Sequence, residues 1–304
     1  MVSPRIAALA ADRVSGASEI LARAIEILRD ALAGDADLIE TARAVVRAQP
    51  GMAPVWNVAL AAVASRDDPQ RFDEFAERVA LAPRALTRFA LGLFDVTSGR
   101  AIRPRGSTLH ILTLSQSGSV LAVLEALGAS RELEVSCGEG RPGMEGRALA
   151  RRLAALGIPV TCMTDAAIAQ ALTSADAVLV GADAVTASWF LNKAGTRMLA
   201  AAALAQRVPM HVVASRDKFA CAAVASRLEL REAAASEVWS DPPAGVRVRN
   251  VYFEPTPLDD VTGFITEDGL LDASMARRLC QALDADAPEH LVALLDDLQG
   301  GSSV

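Results

Sequence analysis

The segment Val178–Gln206, VLVGADAVTASWFLNKAGTRMLAAAALAQ, contains the pattern from which the fold of this chain is predicted. An apolar run typical of a buried strand ends in Gly-Ala-Asp, and an alanine-rich helical stretch follows it. A strand followed by a helix is typical of βαβ units, whose parallel sheets bind ligands at the carboxyl ends of their strands. Asp183 therefore falls at a ligand-binding edge, where a proton shuttle, a helix cap and an ion-pair partner are all open as its role.

The same alternation continues on both sides of this segment. The predicted strands, separated by helical stretches, are TLHILTLS, ELEVSCG, PVTCMT, AVLVG and PMHVVAS. This order predicts an α/β fold with a mostly parallel sheet that carries helices on both faces. The loops expected at the ligand-binding edge follow Ser115, Gly138, Thr164, Gly181 and Ser215.

The part of the chain before the sheet is predicted to be helical. ASEILARAIEILRDALAG and PQRFDEFAERVALAPRALTRFALGLF repeat apolar residues at intervals of three and four, without an intervening strand-like run. The turn-rich, charged sequence DVTSGRAIRPRGS then predicts a linker. The 304 residues are thus expected to form a helical domain, residues 1–100, and a sheet domain, residues 101–304.

The composition argues against several classes of function. The net charge is -7, and acidic and basic residues are mixed without a Lys/Arg tract, so direct nucleic-acid binding is not expected. Hydrophobic residues make up 52% of the chain, yet charged residues interrupt every run before the roughly 18 residues that a membrane span needs. The N-terminal apolar run, residues 6–11, is also too short for a secretory signal. No membrane segment is predicted.

The cysteines and histidines show no metal-binding pattern. Cys137, Cys162, Cys221 and Cys280 are far apart, without a Cys-x-x-Cys pair or a nearby histidine. Free, mostly buried thiols in a reducing cytoplasm are therefore expected, with no metal or redox cofactor. The three histidines, at 110, 211 and 290, are isolated in sequence and are expected to be structural.

Three turns carry candidate anion-binding residues. Asn192 and Lys193 are predicted to open a helix, where free N–H groups and an ammonium attract anions. The loop in GEGRPGMEGR offers the guanidinium of Arg141 to a phosphate, and LSQSGSVL places Ser117 and Gly118 at a turn open to close approach. A capped helix, a loop ion pair and a tight turn are the respective structural alternatives.

Taken in order, these blocks resemble one protein family. SGAS, ILTLSQSGSVL, GEGRPGMEGRALARRL, VTCMTDAAI, VLVGADAVTASWFLNKAGTRMLA, VVASRDKFA and NVYFEPTPLDDVTGFITEDG are similar to its motifs. The family comprises the alpha, beta and delta regulatory subunits of eukaryotic translation initiation factor 2B, 5-methylthioribose-1-phosphate isomerase and ribose-1,5-bisphosphate isomerase. The resemblance implies an N-terminal helical domain, a Rossmann-like C-terminal domain and a homodimer or higher homo-oligomer formed through the latter.

The resemblance also implies site residues. The catalytic Cys and Asp of the isomerases fall on Ser115 and Asp183. The sugar-phosphate contacts fall on Gly16, Ala17, Ser18, Gln49, Ser117, Gly118, Arg141, Glu145, Gly146, Asn192 and Lys193. Two of these positions depart from the isomerase pattern, because Gln49 replaces an Arg that many isomerases carry and Ser115 replaces the Cys. A hydroxyl is a far weaker acid than a thiol, so Ser115 cannot repeat the proton transfer of the Cys.

Two functions are therefore open. One is a sugar-phosphate isomerase that converts an aldose 1-phosphate, such as ribose-1,5-bisphosphate or a related pentose phosphate, to a ketose. The other is a non-catalytic regulatory protein that senses a phosphorylated sugar or nucleotide-like small molecule. LSQSGSVL resembles the regulatory branch, whereas GADAV resembles the isomerases. Cys162 is predicted not to replace the missing thiol, because its sequence neighbours are apolar.

Overall fold

The computed structural model describes residues 3–12, 15–34, 36–96 and 107–286. Its first part is helical, as predicted. The helices are α1 (Pro4–Ala11), α2 (Ala17–Ala33), α3 (Leu38–Ala48), α4 (Ala53–Ala64) and α5 (Pro69–Val96). α4 is buried on most of its surface, and the apolar faces of α2 and α3 pack against it.

The second part alternates strands and helices. The strands are β1 (Leu109–Thr113), β2 (Leu133–Gly138), β3 (Val160–Met163), β4 (Ala177–Val180), β5 (Ala184–Val185), β6 (Trp189–Lys193), β7 (Met210–Val213), β8 (Phe253–Pro257), β9 (Gly263–Thr266) and β10 (Gly269–Leu271). The helices are α6 (Gly118–Ser130), α7 (Glu145–Ala155), α8 (Thr196–Gln206), α9 (Ala222–Ala225) and α10 (Ala273–Asp286). A short 3₁₀ helix, Asp165–Thr173, follows β3.

Seven strands form the main sheet, in the order β10-β9-β7-β4-β1-β2-β3. All neighbours are parallel except β9 and β10, which are antiparallel. α5, α6 and α7 contribute to the core on one face, while α8, α10 and the 3₁₀ helix contribute to the core on the other. The predicted mostly parallel sheet with helices on both faces is confirmed.

A second, three-stranded sheet, in the order β5-β6-β8, was not predicted. β6 pairs antiparallel with β8 and places Asn192 and Lys193 in a strand. The prediction that these two residues open a helix is therefore wrong, since α8 begins only at Thr196. The cause is pairing with β8, a partner distant in sequence that local periodicity cannot reveal.

Burial distinguishes Cys162 from the other three cysteines and places Phe264 in the core. Cys162 is exposed, because β3 is the edge strand of the main sheet, whereas the other three cysteines are buried as expected. Among the aromatic residues of NVYFEPTPLDDVTGFI, Phe264 is fully buried and packs edge-on against Phe190 at 5.8 Å. At least this ring fills the core and is not available to a partner.

The helical part packs directly on the small sheet. Its core is continuous with Ala184, Leu191 and Val224. The side-chain amide of Asn57 in α4 donates to the carbonyls of Asp217 and Phe219, at 2.6 and 2.9 Å. The predicted domain boundary at residues 100 and 101 lies outside the described residues and stays a prediction. Among the helices that the structure describes, none has the length and apolar character that a membrane crossing requires.

Candidate functional site

Asp183 lies where the main sheet, the small sheet and α4 meet. It follows β4 after Gly181 and Ala182, and its N–H donates to the Leu191 carbonyl at 2.8 Å. Its own carbonyl accepts from the N–H of Ala53, the first residue of α4, at 3.1 Å. The backbone of Asp183 is thus fixed from both parts of the chain, at the predicted ligand-binding edge.

The pKa of the Asp183 carboxyl reflects its burial and the influence of two buried lysines. Burial raises its pKa from 3.8 to about 6, although the nearby ammonium groups of Lys218 and Lys193 lower it. Each lysine is only 3% exposed. A carboxyl with a pKa of about 6 populates both protonation states near neutral pH, as a group that accepts and returns a proton requires.

Lys218 was not predicted as a site residue. It belongs to VVASRDKFA, one of the blocks that carry the family resemblance, and it follows β7 in the loop after Ser215. That loop was placed at the ligand-binding edge from the strand pattern alone. The available signal was therefore its position after a strand, and only the structure shows that its side chain is buried beside Asp183.

Lys193 is held by two neighbours. Its Nζ lies 2.9 Å from Oε1 of Glu145 and 3.5 Å from the centre of the Tyr252 ring. Burial lowers the pKa of Lys193, and the Glu145 carboxylate opposes that effect. Burial, with the Glu145 and Glu237 carboxylates, raises the pKa of Tyr252 to about 12. An anion approaching Lys193 must share the ammonium with Glu145 or displace that carboxylate.

The N–H groups at the start of α8 are hydrogen-bonded to a carboxylate of the chain itself, that of Glu254. Glu254 accepts from the backbone N–H groups of Gly195 and Arg197, at 2.7 and 2.9 Å. The side-chain amide of Asn192 donates to Thr196 Oγ1 at 2.9 Å and is buried. The anion-binding helix start predicted here is therefore occupied by Glu254, and the Asn192 backbone belongs to β6.

The start of α6 is more open. Ser115 has a φ of 64°, an uncommon left-handed conformation for a residue other than glycine, and it ends the turn after β1. Ser117 caps α6 by accepting from the Val120 N–H at 3.5 Å, and it lies so close to Gly181 that a Cβ there would be 2.5 Å from its Oγ. A Cβ on Gly118 would meet no atom of the described ranges within 4 Å, which leaves space for a ligand there.

The loop before α7 is organised by Asp165. Its two carboxylate oxygens accept from the N–H groups of Gly140 and Arg141, at 2.8 and 2.6 Å. The Arg141 side chain is exposed, and the structure gives it no ion pair with any described residue. The N–H of Gly146 donates to the carbonyl of Glu139 at 3.0 Å, so this N–H is already hydrogen-bonded within the chain.

The predicted site residues of the helical part carry no charge. A Cβ on Gly16, the N-cap of α2, would have no neighbour within 4 Å among the described residues, while Ala17 is buried and Ser18 is exposed. Gln49 is buried, and its amide donates to the carbonyls of Leu9 and Asp12, at 2.8 and 3.1 Å. Gln49 therefore holds the end of α1 in place.

The described contacts bring some of the predicted site residues together and leave others apart. Asp183, Lys193 and Glu145 form one charged cluster, to which the structure adds Lys218 and Tyr252. The described hydrogen bonds join Asp183 to the helical part through Ala53, and not through the SGAS residues or Gln49. Within the described ranges, no cluster of three or more His, Cys, Asp or Glu side chains is arranged to hold a metal ion.

Comparison with known proteins gives one consistent family. The sequence profile of the Initiation factor 2 subunit family matches residues 13–273. A Pyrococcus furiosus protein named as translation initiation factor eIF-2B subunit 2-like is 31% identical over 239 residues, covering 77% of this chain and 80% of that protein. The ribose 1,5-bisphosphate isomerase of Archaeoglobus fulgidus is 35% identical over 174 residues, which cover 55% of each chain.

The fold agrees with these sequence matches. The crystal structure of a Pyrococcus horikoshii translation initiation factor eIF-2B superposes with a TM-score of 0.72 at 29% identity. The superposition covers 88% of this chain and 95% of that one. The relatives thus include both a protein named as a translation factor subunit and a sugar-phosphate isomerase.

Proposed function

The chain belongs to the Initiation factor 2 subunit family, and from this membership and the geometry around Asp183 we propose that it is a sugar-phosphate isomerase. Its substrate would be an aldose 1-phosphate of the pentose series, with ribose-1,5-bisphosphate as the first candidate. The name of the Archaeoglobus fulgidus relative supports that choice. The observation that carries the proposal is a carboxyl with a pKa of about 6 beside two buried lysines.

The chemistry follows from this cluster. Aldose-to-ketose conversion moves hydrogen between adjacent carbons and protons between adjacent oxygens, and it needs a group that accepts a proton and returns it. Asp183 has the required pKa, and the ammonium groups of Lys193 and Lys218 would stabilise negative charge that develops on the substrate oxygens. Ser115, in its left-handed turn, would hydrogen-bond the substrate without acting as an acid.

The phosphate would be held at the sheet edge. The open start of α6 at Gly118 offers N–H groups, and Arg141 offers a guanidinium with no ion pair to another described residue. Lys193 would join them once the incoming phosphate competes with Glu145. On the helical side, the open position at Gly16 would admit the other end of the sugar phosphate.

A ligand panel tests this proposal. Ribose-1,5-bisphosphate and 5-methylthioribose 1-phosphate are added at increasing concentration while melting is followed, and ³¹P NMR records conversion. Ligand that binds only the folded state should raise the melting temperature with its concentration. Asp183→Asn should keep affinity within about tenfold and lose conversion, because the amide retains the shape but cannot carry the proton. The absence of any shift at millimolar ligand would refute the proposal.

A second candidate function is regulatory. The serine at 115 in place of the family Cys and the structural use of Gln49 favour a protein that binds the sugar phosphate without converting it. The name of the Pyrococcus furiosus relative points in the same direction. The ³¹P experiment separates the two functions, since tight binding without product would establish the regulatory one.

Self-association forms part of the same proposal. Large apolar side chains are exposed along the irregular segment that precedes β8, namely Leu230, Val238, Trp239, Val246 and Val251. We expect this segment to contact a second copy in a homo-oligomer, and one solved relative is a tetrameric complex of eIF2B beta and delta subunits. Trp239→Arg should lower the sedimentation coefficient at micromolar concentration, whereas a wild type that sediments as a monomer would exclude the oligomer.

A further inference from the structure

A second cluster of polar side chains lies on β1 and β2 of the main sheet. His110 of β1 is opposite Glu134 of β2, and Ser136 is two residues further along β2 on the same face. His110 Nε2 is 2.9 Å from Ser136 Oγ, and His110 Nδ1 is 3.4 Å from Glu134 Oε1. His110, expected to be isolated and structural, thus links a serine to a carboxylate.

The order of these contacts matches the chemistry of an activated serine. His110 Nδ1 makes no hydrogen bond to a described group, and Glu134 Oε1 lies 3.4 Å from it. A proton on Nδ1 is favoured electrostatically, because a lone pair there would face the negative charge of this carboxylate. Nε2 then accepts the hydroxyl proton of Ser136 and can act as its general base. His110 and Ser136 are 6% and 4% exposed, which holds the pair out of bulk water.

The pair opens onto a cavity of about 400 Å³ that a small substrate would fit. Thr161 of β3 is in register with Ser136, so its hydroxyl lies one strand away on the same face, and Gln170 of the 3₁₀ helix lines the same cavity. Both side chains can donate hydrogen bonds to a developing oxyanion. Pro159, Val160 and Met163 supply an apolar wall.

We propose that Glu134, His110 and Ser136 form a second, serine-nucleophile site that hydrolyses small carboxylic esters. Ser136 Oγ bonds to the acyl carbon while its proton passes to His110 Nε2, and the carbonyl electron pair moves onto oxygen. Collapse of this intermediate breaks the ester bond, and the alcohol leaves with the proton from His110. Water then attacks the acyl-serine with His110 as base, which releases the acid and restores the Ser136 hydroxyl.

Two measurements on the full chain test this site. A fluorophosphonate probe should label wild-type protein, and peptide mass spectrometry should place the adduct on Ser136. Hydrolysis of p-nitrophenyl acetate should fall about 100-fold in Ser136→Ala and in His110→Gln, the range expected for loss of a general base or its nucleophile. Ser226→Ala is the matched control, because the Ser226 hydroxyl donates to the Ala223 carbonyl in α9 and does not line this cavity, and it should retain full activity.

The outcomes decide the proposal. Labelling at Ser136 together with the loss in both variants supports it, and Asp183→Asn should leave this activity unchanged. A missing adduct at Ser136, under conditions that label a control serine hydrolase, would overturn it. So would ester hydrolysis of equal rate in wild type and Ser136→Ala, since that rate would come from other groups.

Discussion

The two halves of the candidate sugar-phosphate site are built differently. The sheet half concentrates charge in buried positions, and the ammonium groups of Lys193 and Lys218 act electrostatically on Asp183. The helical half contributes an open helix start at Gly16 and a neutral Gln49 whose amide is bound to the chain itself. We therefore expect ligand affinity and catalytic turnover to depend on the sheet half, and the shape of the site to depend on the helical half.

The largest expected effect concerns turnover. Asp183→Asn should reduce isomerisation at least about 1,000-fold, within the range for removal of a general acid-base group. Ser115→Cys should preserve or raise activity, because a thiol is a stronger acid than a hydroxyl at the family's catalytic position. Steady-state rates on the substrate identified by the panel measure both. Full activity in Asp183→Asn would show that Asp183 does not carry the proton transfer.

The second effect is on stability and depends on pH. Because the folded pKa of Asp183 is raised from 3.8 to about 6, ionising it opposes folding, and the penalty grows as pH rises through that interval. Asp183→Asn should therefore stabilise the protein above pH 6, by at most about 3 kcal/mol at about 1.4 kcal/mol per pKa unit. Urea unfolding at pH 8 and pH 4 measures the difference, which should shrink toward zero at the lower pH.

Asp165→Asn is the matched control for that measurement. Its two carboxylate oxygens accept from Gly140 and Arg141, so an amide leaves one N–H without an acceptor. This variant should lose about 1–2 kcal/mol, opposite in sign to the expected gain in Asp183→Asn. A loss of stability at pH 8 in both variants would contradict the raised pKa of Asp183 in the folded state.

The third effect compares the two halves through affinity. Lys193→Met and Lys218→Met should each weaken sugar-phosphate binding about tenfold or more, since each removes a buried positive charge. Gln49→Ala should change affinity less than about threefold but cost about 1–2 kcal/mol of stability, because the Leu9 and Asp12 carbonyls lose the hydrogen bonds that the Gln49 amide donates. Calorimetric titration and urea unfolding separate these outcomes. If Gln49→Ala lost more affinity than the two lysine variants, the helical half would contribute more to binding than the sheet half.

The smallest effect concerns the ion pair within the sheet half. Glu145→Gln should raise phosphate affinity about two- to fivefold, because Lys193 is then free of the carboxylate that the phosphate must displace. Inorganic phosphate serves as the probe, with melting temperature as the readout. Weaker binding in the variant would mean that Glu145 contacts the ligand directly and does not compete with it.

The fold was predictable because its evidence is local. Alternating apolar runs and helical stretches indicated parallel βαβ units, and that order placed Asp183 at the ligand-binding edge. Lys193 was predicted to open a helix but lies in β6, because that strand depends on pairing with β8. Glu254 at the start of α8 was invisible for the same reason.

The rest depends on how strands are ordered in space. Cys162 is exposed because β3 lies at the sheet edge, and sequence does not state which strand that will be. The contact of His110 with Ser136 depends on the register of β1 and β2. Burial of Lys218 beside Asp183 also arises from packing. A charged residue in a loop is exposed by default, and only the packed structure overrides that expectation.

The most direct test of the central claim is a titration of the Asp183 carboxyl by ¹³C NMR with carboxyl-labelled aspartate, with the signal assigned through Asp183→Asn. We predict a pKa of about 6 in the free protein. Saturating ribose-1,5-bisphosphate should raise it further, since the phosphates add negative charge near the carboxyl. A pKa near the ordinary 3.8 that the sugar phosphate does not move would contradict the account.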